Sequence, residues 1–169
     1  DPLIPLTVMT RKPEETRQQY GVRAIYTFDV PLRLRAARRT KLYINGGGSL
    51  IQDVTSRRSL WFYLHNIQSA KRSGCKVQMY GCGIGPVTRE NHRKLAAKVL
   101  NANVDAITLR EPDSLDELRA MGVTEPEILL TADPALTLRR ASDNETDSVL
   151  LRAGIPPHGR YLCFALRQW

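Results

Sequence analysis

Short apolar runs alternate with longer amphipathic segments along most of this sequence. The runs rich in β-favouring residues occupy positions 6–9, 22–25, 41–45, 76–80, 106–109 and 128–130. The clearest helix follows the third run, because Leu60, Leu64 and Ile67 recur at helical spacing between Ser59, a suitable N-cap, and Gly74. Strands that alternate with helices of this length predict an α/β fold, a Rossmann-like parallel sheet with flanking helices.

Proline and glycine mark the ends of the other predicted helices. Pro13 starts a helix with two glutamates in its first turn, and Gly21 ends it. Further helices are predicted over 31–39, 89–102 and 111–121.

A glycine loop follows the strand predicted at 41–45. It consists of Gly46, Gly47 and Gly48, and consecutive glycines let a ligand approach the main chain. Polar residues come directly after it: Ser49, Gln52 and Asp53. Near a helix N-terminus, the loop N–H groups can form a nest for an anion. We therefore predict a binding site here, although a tight turn that binds nothing has the same sequence.

A second glycine segment, with Gly83 and Gly85, follows the strand predicted at 76–80. Neither segment has the G-x-G-x-x-G spacing of a dinucleotide site or the Gly-Lys-Ser/Thr of a P-loop. In a parallel sheet both segments would lie at the carboxyl edge and face one cleft.

Two charged residues follow later strands and should reach the same edge. Arg110 comes after the strand at 106–109, where its guanidinium is placed to hold a carboxylate or phosphate. An ion pair with Glu111 or Asp113 is the alternative for that arginine. Asp133 follows the strand at 128–130, and there we predict a bracing role.

The other reactive side chains carry weaker signals. His65 and His158 are expected at or near the surface, and His92 is expected to be solvated. The three cysteines match neither a disulfide framework nor a zinc spacing. Cys75 and Cys82 lie beside apolar residues and are interpreted as core filling in a reducing, cytoplasmic protein. No metal constellation, signal peptide or membrane-spanning run is recognised.

The net charge of +8 suits phosphorylated substrates, nucleic acid or an anionic membrane. Arginines cluster at 32–39, 57–58 and 139–140, and each cluster taken alone is interpreted as a solvated face. Aromatic residues do not interleave with these clusters, so no nucleic-acid partner is expected.

The composition changes after residue 138. We predict an incomplete amino-terminal Rossmann-like domain over 1–138 and a polar linker over 139–160 that contains a short helix at 147–153. The apolar run at 161–166 is interpreted as the first strand of a truncated carboxyl-terminal domain, which covers 161–169.

Several blocks of this sequence resemble the polysaccharide pyruvyl transferase family, particularly its bacterial cell-wall branch, the CsaB-like enzymes. The longest block is Asn-Gly-Gly-Gly-Ser-Leu-Ile-Gln-Asp-Val-Thr-Ser at 45–56, and Tyr-Gly-Cys-Gly-Ile-Gly-Pro follows at 80–86. The remaining blocks are Thr-Leu-Arg-Glu-Pro-Asp-Ser at 108–114, Leu-Arg-Ala-Met-Gly-Val at 118–123, Thr-Ala-Asp-Pro at 131–134 and Ala-Leu-Arg-Gln-Trp at 165–169.

The resemblance implies one half of a GT-B-like enzyme, in which two Rossmann-like domains face each other across a cleft. Such enzymes transfer the pyruvyl group of phosphoenolpyruvate to a sugar as a ketal, and no cofactor is implied. A cell-wall saccharide acceptor, including a lipid-linked one, and peripheral contact with the inner face of the membrane are implied as well. A first strand with a Gly-Asp-Glu-Ala-type loop before Asp1 and a histidine acid after Trp169 are also implied, so the chain alone is expected to be inactive.

The resemblance also implies roles for individual residues. Arg110 and Arg167 would hold the anionic donor, and Asp53 would act as the base or orient a sugar hydroxyl. The other residues expected to line the cleft are Gly46, Gly47, Gly48, Ser49, Gln52, Gly83 and Gly85.

Two other functions fit the residues. One is a GT-B-like glycosyltransferase that uses a nucleotide sugar, which UDP-sugar binding would reveal. The other is a basic docking domain without enzymatic activity, which would tolerate Asp53→Asn. Charge reversal at the first arginine cluster would abolish binding by such a domain: Arg33, Arg35, Arg38 and Arg39.

Overall fold

The computed structural model describes residues 4–166. The chain divides into two compact units, Asp1–Leu136 and Thr137–Trp169. Arg167, predicted to bind the donor, lies outside the described residues.

The first unit alternates strands and helices, as the hydrophobic pattern predicts. Its first half contains β1 (Thr7–Thr10), α1 (Pro13–Tyr20), β2 (Arg23–Tyr26), α2 (Val30–Ala37), β3 (Leu42–Gly46) and β4 (Ser49–Ile51). Its second half contains α3 (Arg57–Arg72), β5 (Lys76–Ile84), α4 (Glu90–Asn103), β6 (Ala106–Leu109), α5 (Pro112–Met121) and β7 (Glu127–Leu130). A short 3₁₀ helix, Pro134–Thr137, follows β7.

The strands form two parallel sheets. The main sheet has the order β3-β5-β6-β7, and β4 pairs with the carboxyl-terminal part of β5. Strands β1 and β2 form a separate parallel pair. The architecture is therefore a mixed α/β fold with parallel sheets flanked by helices, as predicted.

The core lies between the main sheet and helices α3, α4 and α5. Leu60, Leu64 and Ile67 are buried on α3, which confirms the predicted stripe. Helix α3 begins after Ser56 rather than Ser59, because the Ser56 hydroxyl accepts a hydrogen bond from the Ser59 N–H at 3.3 Å and caps the helix. Gly21 and Gly122 end α1 and α5 in left-handed conformations, as their positions in the sequence indicate.

The second glycine segment is not a loop. Strand β5 continues through it to Ile84, and Ser49 and Ile51 of β4 pair with Gly83 and Ile84. The turn at Gly47 and Gly48 allows this pairing, because both residues have φ of 69° and redirect the chain along β5. The short strand β4 therefore replaces the predicted loop after the glycines.

Arg33 does not belong to the solvated basic face that the sequence predicts for α2. It is buried, its Nη1 donates to the Thr27 carbonyl at 3.1 Å, and its guanidinium lies over the Phe62 ring. Its neighbours Arg35, Arg38 and Arg39 are exposed. A charge reversal at Arg33 would therefore disturb the fold as well as the surface charge.

A cavity of about 1100 Å³ separates the two sheets and is lined by residues of β1 and β3. Two buried side-chain amides, those of Asn45 and Asn66, also line it, and their Nδ2 atoms have no hydrogen-bond partner within the described chain. The amino-terminal strand implied by the family resemblance stays a prediction.

The second unit contains α6 (Asp143–Arg152), which begins earlier than the predicted helix at 147–153. A reciprocal capping box between Ser142 and Glu145 starts it there. Residues 161–166 form no strand, because no neighbouring strand pairs with them in the described part of the chain. The predicted linker and second domain stay predictions.

A charged cluster braces the amino edge of the main sheet. Asp105 precedes β6 and accepts hydrogen bonds from Lys71 Nζ at 2.7 and 2.8 Å and from the Val77 N–H at 2.8 Å. Burial raises the pKa of Asp105, but the hydrogen bonds from Lys71, Val77 and Lys76 outweigh it and lower the pKa to about 2.

We expect Asp105→Asn to lower the free energy of unfolding by about 1–2 kcal/mol at pH 7. The folded-state pKa is lower than the ordinary value of 3.8, so the contribution is complete above about pH 4.8 and is lost as the pH falls through 3.8 towards 2. Urea unfolding between pH 2 and 7 measures both effects. Asp116→Asn, at an exposed ion pair with Arg119, serves as the control and should change stability by less than about 0.5 kcal/mol.

Candidate functional site

The carboxyl edge of the main sheet brings together residues that are far apart in sequence. Because β3, β5, β6 and β7 are parallel, the segments that follow them emerge on the same side. Arg110 follows β6, and its Nη1 donates to Asp133 after β7 at 3.1 Å. The structure thus places Arg110 and Asp133 together, as the strand pattern predicts.

Arg110 lies in an ion pair and remains partly accessible. Its side chain is 27% exposed, and its Nε lies 4.0 Å from Glu111 Oε2. Asp133 is the closer partner, and the predicted alternative of an ion pair with Glu111 is present as well. Asp133 also accepts the Ala135 N–H at 2.9 Å, which confirms the predicted bracing role.

The glycine turn is held by main-chain hydrogen bonds. The Gly47 N–H donates to the Tyr80 carbonyl at 3.0 Å, and the Gly83 N–H donates to the Gly48 carbonyl at 3.1 Å. Because strand β4 follows and the Gly47 N–H is occupied, the predicted anion nest at a helix N-terminus is not formed. The turn instead positions Ser49 beside β5.

Three polar side chains surround the space over the Gly83 Cα. A Cβ at this position would lie 2.5 Å from Glu111 Oε1, 2.6 Å from Ser49 Oγ and 3.5 Å from Arg110 Nη2. Only glycine fits at this position without a shift of its neighbours, because real Cβ atoms do not approach other atoms so closely. Ser49, Arg110 and Glu111 therefore converge on the main chain of β5 at Gly83.

Asp53 and His92 form a buried pair beside the beginning of α4. Asp53 Oδ2 lies 2.7 Å from His92 Nδ1, and the two side chains are 0% and 7% exposed. The Asp53 carboxylate also accepts hydrogen bonds from the Thr88 N–H at 2.8 Å, the Thr88 hydroxyl at 3.0 Å and the Arg89 N–H at 3.2 Å. Burial raises the pKa of Asp53, but the hydrogen bonds from Thr88, His92 and Arg89 outweigh it and lower the pKa to about 2.

Comparison with known proteins assigns the family. A family model described as polysaccharide pyruvyl transferase matches residues 2–169. The chain belongs to the polysaccharide pyruvyl transferase family. Neither curated proteins nor solved structures yield a match. The family supports a transferase enzyme of polysaccharide biosynthesis, while the cell-wall branch stays a prediction.

One prediction needs revision in this pyruvyl transferase. His92 is buried rather than solvated, and its place at helical spacing from the buried Ala96 and Val99 was the signal that sequence reasoning missed. The role of Asp53 as the base or in orienting a sugar hydroxyl stays a prediction. In the structure both of its carboxylate oxygens accept hydrogen bonds and its side chain is buried.

Gln52 and Gly85, also predicted to line the cleft of the transferase, make local contacts. Gln52 Oε1 accepts hydrogen bonds from the Val54 and Thr55 N–H groups at 2.9 and 3.0 Å. A Cβ at Gly85 would lie 2.9 Å from Glu117 Cγ, so that glycine permits close packing against α5.

Two of the three cysteines of this family member belong to the core, and Cys163 is exposed. Cys75 and Cys82 are buried, which confirms the core-filling interpretation, and burial raises the pKa of Cys82 to about 11. The surface positions predicted for His65 and His158 are also confirmed. Within residues 4–166, no group of three His, Cys, Asp or Glu residues is arranged to hold a metal ion. No helix of that part is long and apolar enough to cross a bilayer.

Proposed function

We propose that this pyruvyl transferase takes the pyruvyl group from phosphoenolpyruvate and attaches it to two hydroxyls of a saccharide acceptor as a cyclic ketal. The observation that carries the proposal is Arg110, a partly exposed guanidinium beside Gly83 at the carboxyl edge. Phosphoenolpyruvate has a carboxylate and a phosphate, which are the planar and anionic groups that a guanidinium binds best.

The reaction sets the requirements for the site. A proton adds to the methylene carbon of the donor, and the adjacent carbon becomes electron-deficient. Two acceptor oxygens bond to that carbon while its bond to the phosphate oxygen breaks. One of the two hydroxyl protons balances the proton that the methylene carbon gains, and the other leaves with phosphate. The reaction therefore needs an acid, a base and an anion-binding group.

The positive charge of the protein favours an acceptor at an anionic surface. The net charge is +8, and the exposed arginines Arg35, Arg38 and Arg39 form a basic patch on one segment. Such a patch attracts anionic lipid headgroups. We therefore propose a cell-wall saccharide precursor as the acceptor, including its lipid-linked form, and action at the cytoplasmic face of the membrane.

The test uses the protein produced from its complete reading frame. It is incubated with phosphoenolpyruvate and N-acetylhexosamine-containing acceptors, free and lipid-linked, and phosphate release and acceptor mass are followed. An acceptor that gains a pyruvyl ketal supports the proposal. Phosphate release without a ketal supports the donor alone. No release with any acceptor, together with UDP-sugar binding, would instead favour the glycosyltransferase alternative.

A further inference from the structure

Helix α3 exposes a tryptophan on the side that faces away from the core. Trp61 is 55% exposed, whereas Leu60 and Leu64 of the same helix are buried. Val54, in the short segment that leads into α3, is 61% exposed. Large apolar side chains that lie exposed near one another on a surface are typical of contacts with a partner or a membrane.

Two arginines accompany this tryptophan. Arg57 precedes Trp61 by four residues and Arg58 precedes it by three, so their side chains project from neighbouring positions on the helix surface. Both arginines are exposed, and neither pairs with a carboxylate in the described part of the chain. We call the surface formed by Val54, Arg57, Arg58 and Trp61 the Trp61 face. It combines exposed apolar groups with two cations that can meet an external anion.

The charge differs between the helices that cover the main sheet. Helix α3 has four basic residues and no acidic residue, whereas α5 has three acidic residues and one basic residue. Helix α2 packs against α3 and adds the exposed Arg35, with Arg38 and Arg39 directly after it. The positive potential is therefore concentrated at α2 and α3, and α5 has the opposite sign.

The chemistry of the Trp61 face fits the surface of an anionic bilayer. A tryptophan has an apolar ring system and one N–H donor, so it is favoured at the depth of the lipid headgroups. Exposed arginines near such a surface bind lipid phosphates and are attracted by anionic headgroups. We propose that the Trp61 face docks on an anionic phospholipid bilayer, with Trp61 and Val54 among the headgroups and Arg57 and Arg58 on lipid phosphates.

The position of α3 relates this docking to the candidate site. Helix α3 follows β4, so its first turn lies at the carboxyl edge of the parallel sheet, where Arg110 follows β6. Docking through the first turns of α3 would hold that edge near the bilayer surface, where a lipid-linked acceptor presents its saccharide. This part of the inference rests on the proposed function.

The test measures binding of the protein from its complete reading frame to phosphatidylcholine vesicles with and without phosphatidylglycerol. We expect binding to the anionic vesicles alone, weakened by added salt. Arg57→Gln combined with Arg58→Gln should lower the affinity about 20-fold, because each arginine near the surface contributes roughly a factor of five. Trp61→Ala should lower it about tenfold through the lost apolar contact. All three positions are exposed, so the thermal midpoint should stay near that of the wild-type protein.

Arg119→Gln is the matched control, because it removes one exposed arginine from α5, outside the Trp61 face. It should change the affinity less than about twofold. Brominated lipids provide a second measurement, since they quench tryptophan fluorescence only at close range. The quenching lost in Trp61→Phe reports the contact of this side chain with the bilayer. Wild-type quenching in Trp61→Phe would overturn the inference.

Three other results would also contradict docking through this face. The first is equal binding to both kinds of vesicle. The second is wild-type affinity in the Trp61 and arginine variants, with binding lost on charge reversal at Arg35, Arg38 and Arg39. The third is a Trp61 that soluble quenchers cannot reach in the complete protein, because another part of the protein or a second copy then covers it.

Vesicle binding needs no turnover, so failure of this inference and failure of the proposed function are distinguishable. Docking through the Trp61 face without ketal formation on any acceptor would contradict the proposed function alone. Ketal formation on a free acceptor without vesicle binding would contradict the docking alone. If both hold, Trp61→Ala should raise the KM for a lipid-linked acceptor about tenfold and leave the KM for the free acceptor unchanged.

Discussion

Arg110→Ala is expected to lower kcat/KM for pyruvyl transfer between about 100- and 1000-fold, the usual cost of removing a group that stabilises transition-state charge. The Arg110 guanidinium pairs with Asp133 after β7, lies beside Gly83 and is partly exposed there. The lost interaction is with the anionic donor, so the phosphoenolpyruvate KM should rise as well. Initial rates over a range of donor concentrations measure both constants.

Two further variants separate donor binding from a structural ion pair. Arg110→Lys keeps the charge but loses the planar fork, and we expect at least a tenfold loss to remain. Asp133→Asn removes the partner in the ion pair and should leave most of the activity. If Asp133→Asn were as inactive as Arg110→Ala, and both lowered the thermal midpoint equally, the arginine would have only a structural role. Arg119→Ala, at an exposed pair with Asp116, controls for loss of a surface charge.

The elements of the first unit could be predicted because each has a local signal. Proline and glycine mark the ends of α1 and α5, the apolar stripe identifies α3, and short apolar runs identify the strands. Parallel pairing then determines that Arg110 and Asp133 lie at one edge. This is a consequence of topology, so it could be predicted from the order of the elements.

The environments of individual polar groups could not be predicted in the same way. Strand β4 depends on pairing with Gly83 and Ile84, residues more than 30 positions away, and it has no local signal of its own. The burial of Asp53 depends on α4 and the residues just before it, because Thr88 and Arg89 precede the helix and His92 lies in its first turn. Sequence identifies which residues reach an edge, and the tertiary contacts determine which of them remain accessible there.

Asp53→Ala is the second substitution for which we expect a large effect, a lower free energy of unfolding. The variant leaves the N–H groups of Thr88 and Arg89 and the His92 ring without their acceptor in a buried site. Breaking such a network costs about 3–5 kcal/mol. Urea unfolding at pH 7 measures this change, and Glu90→Gln, at an exposed pair with Lys94 on the same helix, should change the free energy of unfolding by less than about 0.5 kcal/mol.

The pH dependence of the unfolding free energy of the wild-type protein tests the same network. The folded-state pKa of Asp53 is about 2, below its ordinary value of 3.8, so its contribution is complete above about pH 4.8 and is lost as the pH falls through 3.8 towards 2. The difference in unfolding free energy between the wild-type protein and Asp53→Ala should shrink over that interval.

Asp53→Asn distinguishes a positioning residue from a catalytic base. The amide oxygen still accepts hydrogen bonds from Thr88, but its NH₂ group faces the donor of Arg89, so stability should fall by about 1–3 kcal/mol. A positioning role predicts that pyruvyl transfer, measured in the protein from its complete reading frame well below its unfolding temperature, falls less than tenfold. An inactive Asp53→Asn with wild-type stability would instead establish Asp53 as the base.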